Sequence, residues 1–600
     1  MKRSGLPDNP FKVFTPEDLD AKEILDLFVE VPYLNKIQDP GNTMLNGPRG
    51  SGKSMLFRYL MPDCQMEAKS LALRELPFFG VLVSIRNTAP NLTELRRLPD
   101  QSTRAILNEH ALSCFVASRF LQALLDSLPD RPQPSWSAAL ASYYDYLESL
   151  LVRSGRPAIG HDGLDVASPQ ALLQGCRDLC EDSYADVNHY AKRISFATSL
   201  PPYDGVLCDY MTFLCPLLVE ARKLPFLPNE APIYLLLDDA DHLNKDQTMV
   251  LNSWLTARTQ GMVSIKISTQ QNYKTLATVS GHLVRSPHDY QEINMSDLYT
   301  TKRGLYERSV REIVDRRLRR AKIASTGDAF FPPDRDQELE ITQIAEDLRK
   351  AWKDSGRGNR PSDDALRYAR PEYIRRLGGP SKSRHTYFYA GLDQLIHLSS
   401  GQVRYLLQPA AEMYDEQVGQ LADSPIREIS PGIQNRVVRQ EADRLMFSEL
   451  ENLAVSPTDV DIPFDEYRDR VAKLRNLLAF LGGFFFLKLV SDDAERRVFS
   501  VAVSGDPDLD VFDVFEFGVV LGYFHRSSIG NKDGTGRTRL YVLTRRLAPH
   551  FNLDPSSFSG YQFVTNETLR SAMVNPARTV RAVRSRVKPR PLDEGQMELF

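Results

Sequence analysis

Residues 42–60 read NTMLNGPRGSGKSMLFRYL: a short β-rich run, a glycine-rich turn and the first turns of an apolar helix. Gly47, Pro48, Arg49, Gly50, Ser51, Gly52, Lys53 and Ser54 complete the pattern G-x-x-x-x-G-K-S between that strand and that helix. The order of elements gives the match its meaning, because the glycines allow a tight turn in which successive backbone N–H groups and the helix N-terminus face an anion. Lys53 adds a point charge for the β- and γ-phosphates of a nucleotide, and the Ser54 hydroxyl is suited to hold Mg²⁺. ATP and Mg²⁺ are the expected ligands. A glycine-rich loop that binds nothing is the competing reading, and the strand before and helix after weigh against it.

A second anchor lies at residues 233–241, IYLLLDDAD, a buried apolar strand that ends in carboxylates. Asp238 at the strand's end is expected to hold Mg²⁺ through water, with Asp239 beside it to polarise the attacking water. The plainer alternative is a strand followed by an acidic turn. Residues 263–270, VSIKISTQ, form another β-rich run, and Ser268 or Thr269 at its end is placed to sense a γ-phosphate. Many strands simply end in Ser-Thr turns, so that reading stays open beside the sensor reading.

The chain has 600 residues, too many for one hydrophobic core, so three or four units are expected with the nucleotide-binding one first. Charge is nearly balanced, 74 basic against 78 acidic residues, so contact with nucleic acid must come from local patches. The six cysteines show no C-x-x-C pair and no neighbouring histidine set, which suggests neither a zinc site nor a disulfide framework. The N-terminus lacks the apolar core of a signal peptide. The longest apolar run, residues 477–487, is too short to span a bilayer, so a soluble cytoplasmic protein with no membrane contact is expected.

Taken in order, residues 9–37 carry a helix start at Thr15-Pro16-Glu17-Asp18 and apolar spacing suited to a helix ahead of the first strand. Residues 77–85 (PFFGVLVSI) read as a second central strand, 103–128 as a long helix, and 288–295 as a fifth strand. Between them, 129–228 read as mixed short helices broken by proline and glycine, an inserted helical subdomain without strands. From residue 300 the pattern is helical, with a charged helix at 306–323, a break at 331–336 and a capped helix that contains Arg404. Arg404 suits a guanidinium that closes over a phosphate, and equally a solvated helix arginine. Residues 484–490 and 496–503 look like a hairpin around 491–495, and 515–524 like an apolar helix. Residues 526–543 carry Lys532, Arg537 and Arg539 around an Asp-Gly turn, resembling the wing of a winged helix that would meet DNA phosphates. A plain surface hairpin is the rival. Residues 571–592 contain no acid at all, and read as a disordered basic tail. The chain ends Gln596-Met-Glu-Leu599-Phe600, which resembles the Q-x-x-L-F peptide that docks on the sliding clamp. Leu599 and Phe600 folding back onto the chain's own surface is the alternative.

Together these motifs resemble bacterial AAA+ ATPases of the origin-recognition, initiator-like type, over residues 9–128 and 231–416 and loosely in the winged-helix region. The resemblance implies an α/β P-loop AAA+ parallel-sheet core with helical insertion, helical lid and C-terminal winged-helix domain. It implies divisions at 1–128 and 229–299 (core), 129–228 (insertion), 300–450 (lid), 451–570 (winged helix) and 571–600 (tail). Carried over by position, Lys53 and Ser54 would bind phosphate and Mg²⁺, Asp238 Mg²⁺, Ser268 or Thr269 would be the first sensor and Arg404 the second. One departure is Asp238-Asp239 where the family usually has Asp-Glu, a pairing nearer to signalling ATPases of the STAND class. The expected function is a slowly hydrolysing ATPase acting as a nucleotide-controlled switch on DNA, with ATP-dependent homo-oligomers expected. The alternative is a STAND-like signalling or antiviral-defence ATPase whose C-terminal region grips a partner protein, such as one encoded in the same operon.

Overall fold

The computed structural model describes residues 8–88, 92–129, 132–257, 261–270, 273–296, 299, 302–355, 361–377, 387–420, 425–456, 462–491, 497–530, 536–556 and 560–584. The chain divides into two compact units, one of Phe14–Met295 and one of Met1–Val13 with Ser296–Phe600.

In the first unit, strands β1 (Thr43–Asn46), β2 (Phe79–Ser84), β3 (Ile233–Asp238), β4 (Val263–Thr269) and β5 (Gln291–Asn294) form one sheet in the order β2-β3-β4-β1-β5. Every neighbouring pair is parallel. Both β3 and β4 are buried along their whole length; β3 is apolar up to Asp238, as a strand in a sheet covered on both faces requires, whereas β4 buries Ser264, Lys266, Ser268 and Thr269 between its apolar residues. This is the expected parallel core, and the P-loop strand lies next to β4, with β3 on the other side of β4. Asn42 fixes the start of β1: its amide donates to the Leu255 and Asp289 carbonyls, and its side-chain oxygen accepts from Ile265 N–H. The fifth strand, expected at 288–295, is present.

Helix α1 (Ala21–Leu27) is closed by a capping box between Asp20 and Glu23, and α2 (Lys53–Tyr59) follows the glycine loop. Where β2 passes the end of α2, a Cβ on Gly80 would stand 2.3 Å from the Leu60 carbonyl oxygen, so only glycine allows that approach.

The stretch 129–228 contains no strand among its described residues, but its helices are long. After α3 (Gln101–Asp126) come α4 (Trp136–Arg153) and α5 (Pro169–Phe196). Proline begins α5 instead of breaking it, since Pro169 occupies the first turn beside the Ser168 cap, where no N–H is needed. Gly175 inside α5 is a point of close approach, where a Cβ would crowd Leu164 and Tyr144. These helices share a core with the sheet. Leu140, Leu147, Leu172 and Cys180 belong to the same hydrophobic core as Val81, Leu235 and Ile265 of the sheet.

In the second unit, α6 (Arg303–Arg320) opens the helical region and Phe331 begins the expected break. Residues 8–13 belong here and not, as expected, with the P-loop core. Phe11 is fully buried among Phe330, Phe331 and Tyr414, Arg317 donates to the carbonyls of Pro10 and Lys12, and Asn9 bonds the Ala411 carbonyl and Asp415. Helix α7 (Arg404–Gln420) follows, then α8 (Pro431–Asp443) and α9 (Phe464–Val490).

The C-terminal sheet contains β6 (Val498–Ser504), β7 (Phe524–Gly530), β8 (Arg537–Leu543) and β9 (Gly560–Thr565), ordered β7-β8-β6-β9. The β7–β8 pair is the antiparallel hairpin expected around the basic turn, whereas β6 and β9 are parallel. Residues 484–490 are not a hairpin strand. They are the last turns of α9, whose residues from Phe484 to Leu487 and Leu489 to Val490 are all buried, and an apolar run covered on every side has no period to distinguish helix from strand. Gly482 lets the Phe551 ring lie against this helix, since a Cβ there would come within 2.4 Å of it. The apolar helix expected at 515–524 is α10 (Leu509–Val520), and Phe524 already starts β7. The front of the expected disordered tail is helical, in α11 (Asn566–Val574) and α12 (Pro576–Arg584). Thr579 and Val580 are buried, so a run without acids still carries an apolar stripe that its arginine content obscures.

Candidate nucleotide site

The glycine loop closes at the C-terminal ends of β1 and β4, where Gly47 N–H donates to the Thr269 carbonyl. Gly50 and Gly52 have φ of 84° and 100°, which L side chains rarely adopt, so the turn needs glycine at both. A Cβ at Gly47 would meet Met295 and the Ser51 hydroxyl at 3.0 Å. Pro48 accepts the Ser51 N–H, and Arg49 at the loop's crest is exposed. Lys53 is buried, its ammonium donating to the carbonyls of Gly47 at 2.8 Å and Pro48 at 3.1 Å.

Asp238 ends β3 with its carboxylate accepting from the hydroxyls of Ser268 and Ser54. Burial pushes this carboxyl above the ordinary range, the two hydroxyls oppose that, and neighbouring Asp239 adds to it. Asp239 adopts a left-handed backbone, φ 56° and ψ 45°. Its N–H donates to the Ser268 hydroxyl at 2.9 Å and its carboxylate accepts from the Gln270 amide at 3.0 Å. Asp241 accepts the Gln270 N–H and a bond from Thr269, and burial raises its carboxyl too. Its second oxygen is buried without a hydrogen-bond partner, as is the side-chain oxygen of Asn46 at the end of β1.

Glu17, from the turn Pro16–Asp18, joins these groups. It bonds the Ser84 hydroxyl at the end of β2, and its carboxyl is raised first by burial and then by Asp238. Ser84 is the register partner of Asp238. The glycine cradle, the buried ammonium, the orphaned acceptors and the mutually repelling carboxylates fit a phosphate chain with a divalent cation.

The residues expected from sequence thus converge from Gly47 to Ser54 and at Asp238, Asp239, Ser268 and Thr269. The Ser268 hydroxyl ties Asp238 to the Asp239 backbone. Glu17, Asp241 and Gln270 complete the cluster. The Q after the Ser-Thr pair and the final D of DDAD were the available signals for the latter two. Arg404 begins α7 in the other unit, half-buried. Arg537 lies exposed on β8 and bonds Ser528 at both its hydroxyl and carbonyl, while Arg539 pairs with Glu516 and lies over the Phe512 ring. Lys532, Gln596, Leu599 and Phe600 lie outside the described residues.

All six cysteines are buried and free. The expectation of no neighbouring histidine is corrected: His110, Cys114 and Cys208 meet in the core with their ligating atoms within 4.8 Å of one another. The i, i+4 spacing of His110 and Cys114 was the readable sign. The ring is not offered to an ion, because its Nε2 lies 3.1 Å from the Ser183 carbonyl and its Nδ1 accepts the Cys208 N–H at 3.0 Å. Bonded to Cys114 and to His110, the Cys208 thiol is lowered to about 6. Among the described residues no helix is long and apolar enough to cross a membrane.

No curated protein matches the chain. The crystal structure of Cdc6p from Pyrobaculum aerophilum aligns at 12% identity over 96% of this chain and 99% of that one, with a TM-score of 0.27. A family model described as ORC-CDC6-like matches residues 9–563, nearly the whole length, and the chain therefore belongs to the ORC-CDC6-like family.

Proposed function

We propose that this protein binds Mg·ATP at the glycine loop, hydrolyses it slowly, and uses the nucleotide state to control a grip on duplex DNA through the C-terminal β7–β8 hairpin. ORC-CDC6-like proteins are generally AAA+ ATPases, and the family supports nucleotide use with Mg²⁺. The observation that carries the reading is the joining of Lys53, Ser54 and Asp238 at one strand end, with the Ser54 hydroxyl bonded to Asp238. In this reading Lys53 leaves its two loop carbonyls for the β- and γ-phosphates, and Ser54 and Asp238 hold Mg²⁺. The bound cation supplies neutralisation of charge that builds on the phosphate oxygens. Asp239, steadied by Gln270, orients water with a side chain one methylene shorter than glutamate, which favours slow turnover. Ser268 or Thr269 is proposed as the first phosphate sensor and Arg404 as the second.

Titration with a fluorescent ATP analogue, with and without Mg²⁺, together with turnover measured with and without duplex DNA, tests the reading. Saturable Mg²⁺-dependent binding with a low turnover that DNA changes is expected, and absence of binding overturns it.

The partner-protein alternative draws support from the Asp-Asp strand end and from Arg539 being paired with Glu516 instead of standing free for phosphate. Salt separates the two. Binding through Lys532, Arg537 and Arg539 to phosphates weakens steeply as salt rises, whereas a protein interface responds far less. The terminal Gln596, Leu599 and Phe600 are proposed to dock on the sliding clamp, and clamp binding that survives removal of residues 596–600 overturns that part.

A further inference from the structure

Three buried side chains outside the nucleotide site, His110, Cys114 and Cys208, have their ligating atoms within 4.8 Å of one another, so the two sulfurs lie no farther apart than that. They come from two unlike elements. His110 and Cys114 stand one turn apart on α3, and Cys114 belongs to the core that α3 shares with the sheet. Cys208 lies in residues 197–209, a strap of non-helical chain that leads from the end of α5 to the helical segment opening at Tyr210. The strap is thin cover, since Leu207, one residue before Cys208, is 44% exposed.

One nitrogen brings the two cysteines together. His110 Nε2 lies 3.1 Å from the Ser183 carbonyl, which assigns the ring proton to Nε2 and leaves Nδ1 as acceptor. Nδ1 takes the Cys208 N–H at 3.0 Å and stands 3.6 Å from the Cys114 sulfur. Cys180 on α5, Arg156 beyond α4 and Tyr203 in the strap also face the pair. Burial raises the Cys114 thiol, whereas Cys208, bonded first by Cys114 and then by His110, is lowered. That difference makes Cys208 the first to react and leaves a protonated thiol beside it, the arrangement of an attacking and a resolving cysteine.

We infer that Cys114 and Cys208 form a reversible redox-modification site, in which a hydroperoxide oxidises Cys208 and Cys114 then closes a disulfide that ties the strap to α3. The Cys208 sulfur attacks a peroxide oxygen: an S–O bond forms, the O–O bond breaks, and the departing oxygen takes up the proton that Cys208 released. The Cys114 sulfur then attacks the Cys208 sulfur: the S–S bond forms, the S–O bond breaks, and hydroxide leaves with the Cys114 proton as water. The two thiols give up two electrons, and the hydroperoxide accepts them. An S–S bond of about 2.0 Å requires the sulfurs to close on each other, a movement that a non-helical strap supplies more readily than a helix packed in the core. The site stands apart from the nucleotide reading, whose failure would leave it intact.

The test treats the folded full-length chain with hydrogen peroxide, quenches it in acid, then unfolds it and maps its cysteines by mass spectrometry. Loss of two hydrogens in a single Cys114–Cys208 bridge, reversed by dithiothreitol, is expected. Cys208 should oxidise at least about tenfold faster at neutral pH than the cysteines outside the pair. Cys114→Ser should accumulate a sulfenic acid at Cys208 that dimedone captures, and Cys208→Ser should leave Cys114 reduced. A wild-type chain that stays fully reduced overturns the inference. So does a bridge to Cys180, a bridge that forms only after unfolding in urea, or a Cys208 that oxidises no faster than the others. The wild-type map decides the matter even where a serine variant fails to fold.

Discussion

Both units of this protein bury charged side chains, and they do so in different ways. In the Phe14–Met295 unit the buried Lys53 and Asp238 meet at the C-terminal ends of parallel strands, next to the orphaned oxygens of Asn46 and Asp241. In the C-terminal unit, Arg546 stacks 3.8 Å over the Tyr405 ring and bonds Glu441, and Arg317 reaches the carbonyls of Pro10 and Lys12. Lys53 and Asp238 at these strand ends bond neutral carbonyls and hydroxyls, whereas Arg546 is matched by an acid and a ring of its own unit. The physical difference is that an opposite charge built into the fold makes a buried charge a stability element, while a buried charge held by neutral groups keeps affinity for a ligand of opposite sign.

The sharpest way to break this contrast is Lys53→Ala, expected to abolish nucleotide binding by removing the cation that faces the phosphates, as read by the same fluorescent titration. Unchanged affinity would make Lys53 a packing residue like those of the other unit. Next in size, removing one partner of the buried Arg546–Glu441 pair should be costly without touching nucleotide affinity. Glu441→Leu leaves the buried arginine only the half-exposed Glu449 at 4.0 Å and should destabilise the C-terminal unit by about 3 kcal/mol, read as a lowered denaturation midpoint. Asp238→Asn should weaken Mg²⁺-dependent binding about tenfold while binding without Mg²⁺ holds, and Asp239→Asn should slow turnover more than it weakens binding. If both leave binding and turnover intact, the strand end is only an acidic turn.

Smaller effects concern pH. Burial lowers Lys266 in β4 to about 7 and His525 in β7 to about 4. Each has a folded pKa below its unfolded one, so each costs stability as pH falls from the unfolded to the folded value: from about 10.5 to 7 for Lys266, and from about 6.5 to 4 for His525. Lys266→Met should flatten the alkaline part of the stability profile and His525→Phe the acid part, in chemical denaturation followed across pH. A profile unchanged by either variant would show that the buried base does not set it.

How much of this was legible depended on whether the partners were close in sequence. The glycine loop is local, and its glycines, lysine and serine name the turn, the helix start and the ligand together. The IYLLLDDAD strand was readable because a strand buried on both faces is apolar throughout and its acids stand at the end. Glu17 was visible only as part of a helix start, because its meeting with Ser84 and Asp238 depends on how the N-terminal turn is fastened to α2 through Arg58 and Leu19. The stretch 484–490 misled for a different reason, since a helix buried all round carries no amphipathic period. The long helices of 129–228 were hidden by proline and glycine that sit at a helix start and a close contact instead of at breaks.

The left-handed backbone at Asp239 also limits which substitutions this chain can accept by drift. The single-base neighbours of an aspartate codon include asparagine, glycine and glutamate. Asparagine and glycine enter a left-handed conformation with little strain, while glutamate does so less readily. Neutral drift at this position therefore favours loss of the carboxylate over acquisition of the longer one. Lineages descending from such a sequence would tend to keep the fold and the phosphate cradle while losing a charge at the strand end, becoming nucleotide-holding proteins instead of faster ATPases.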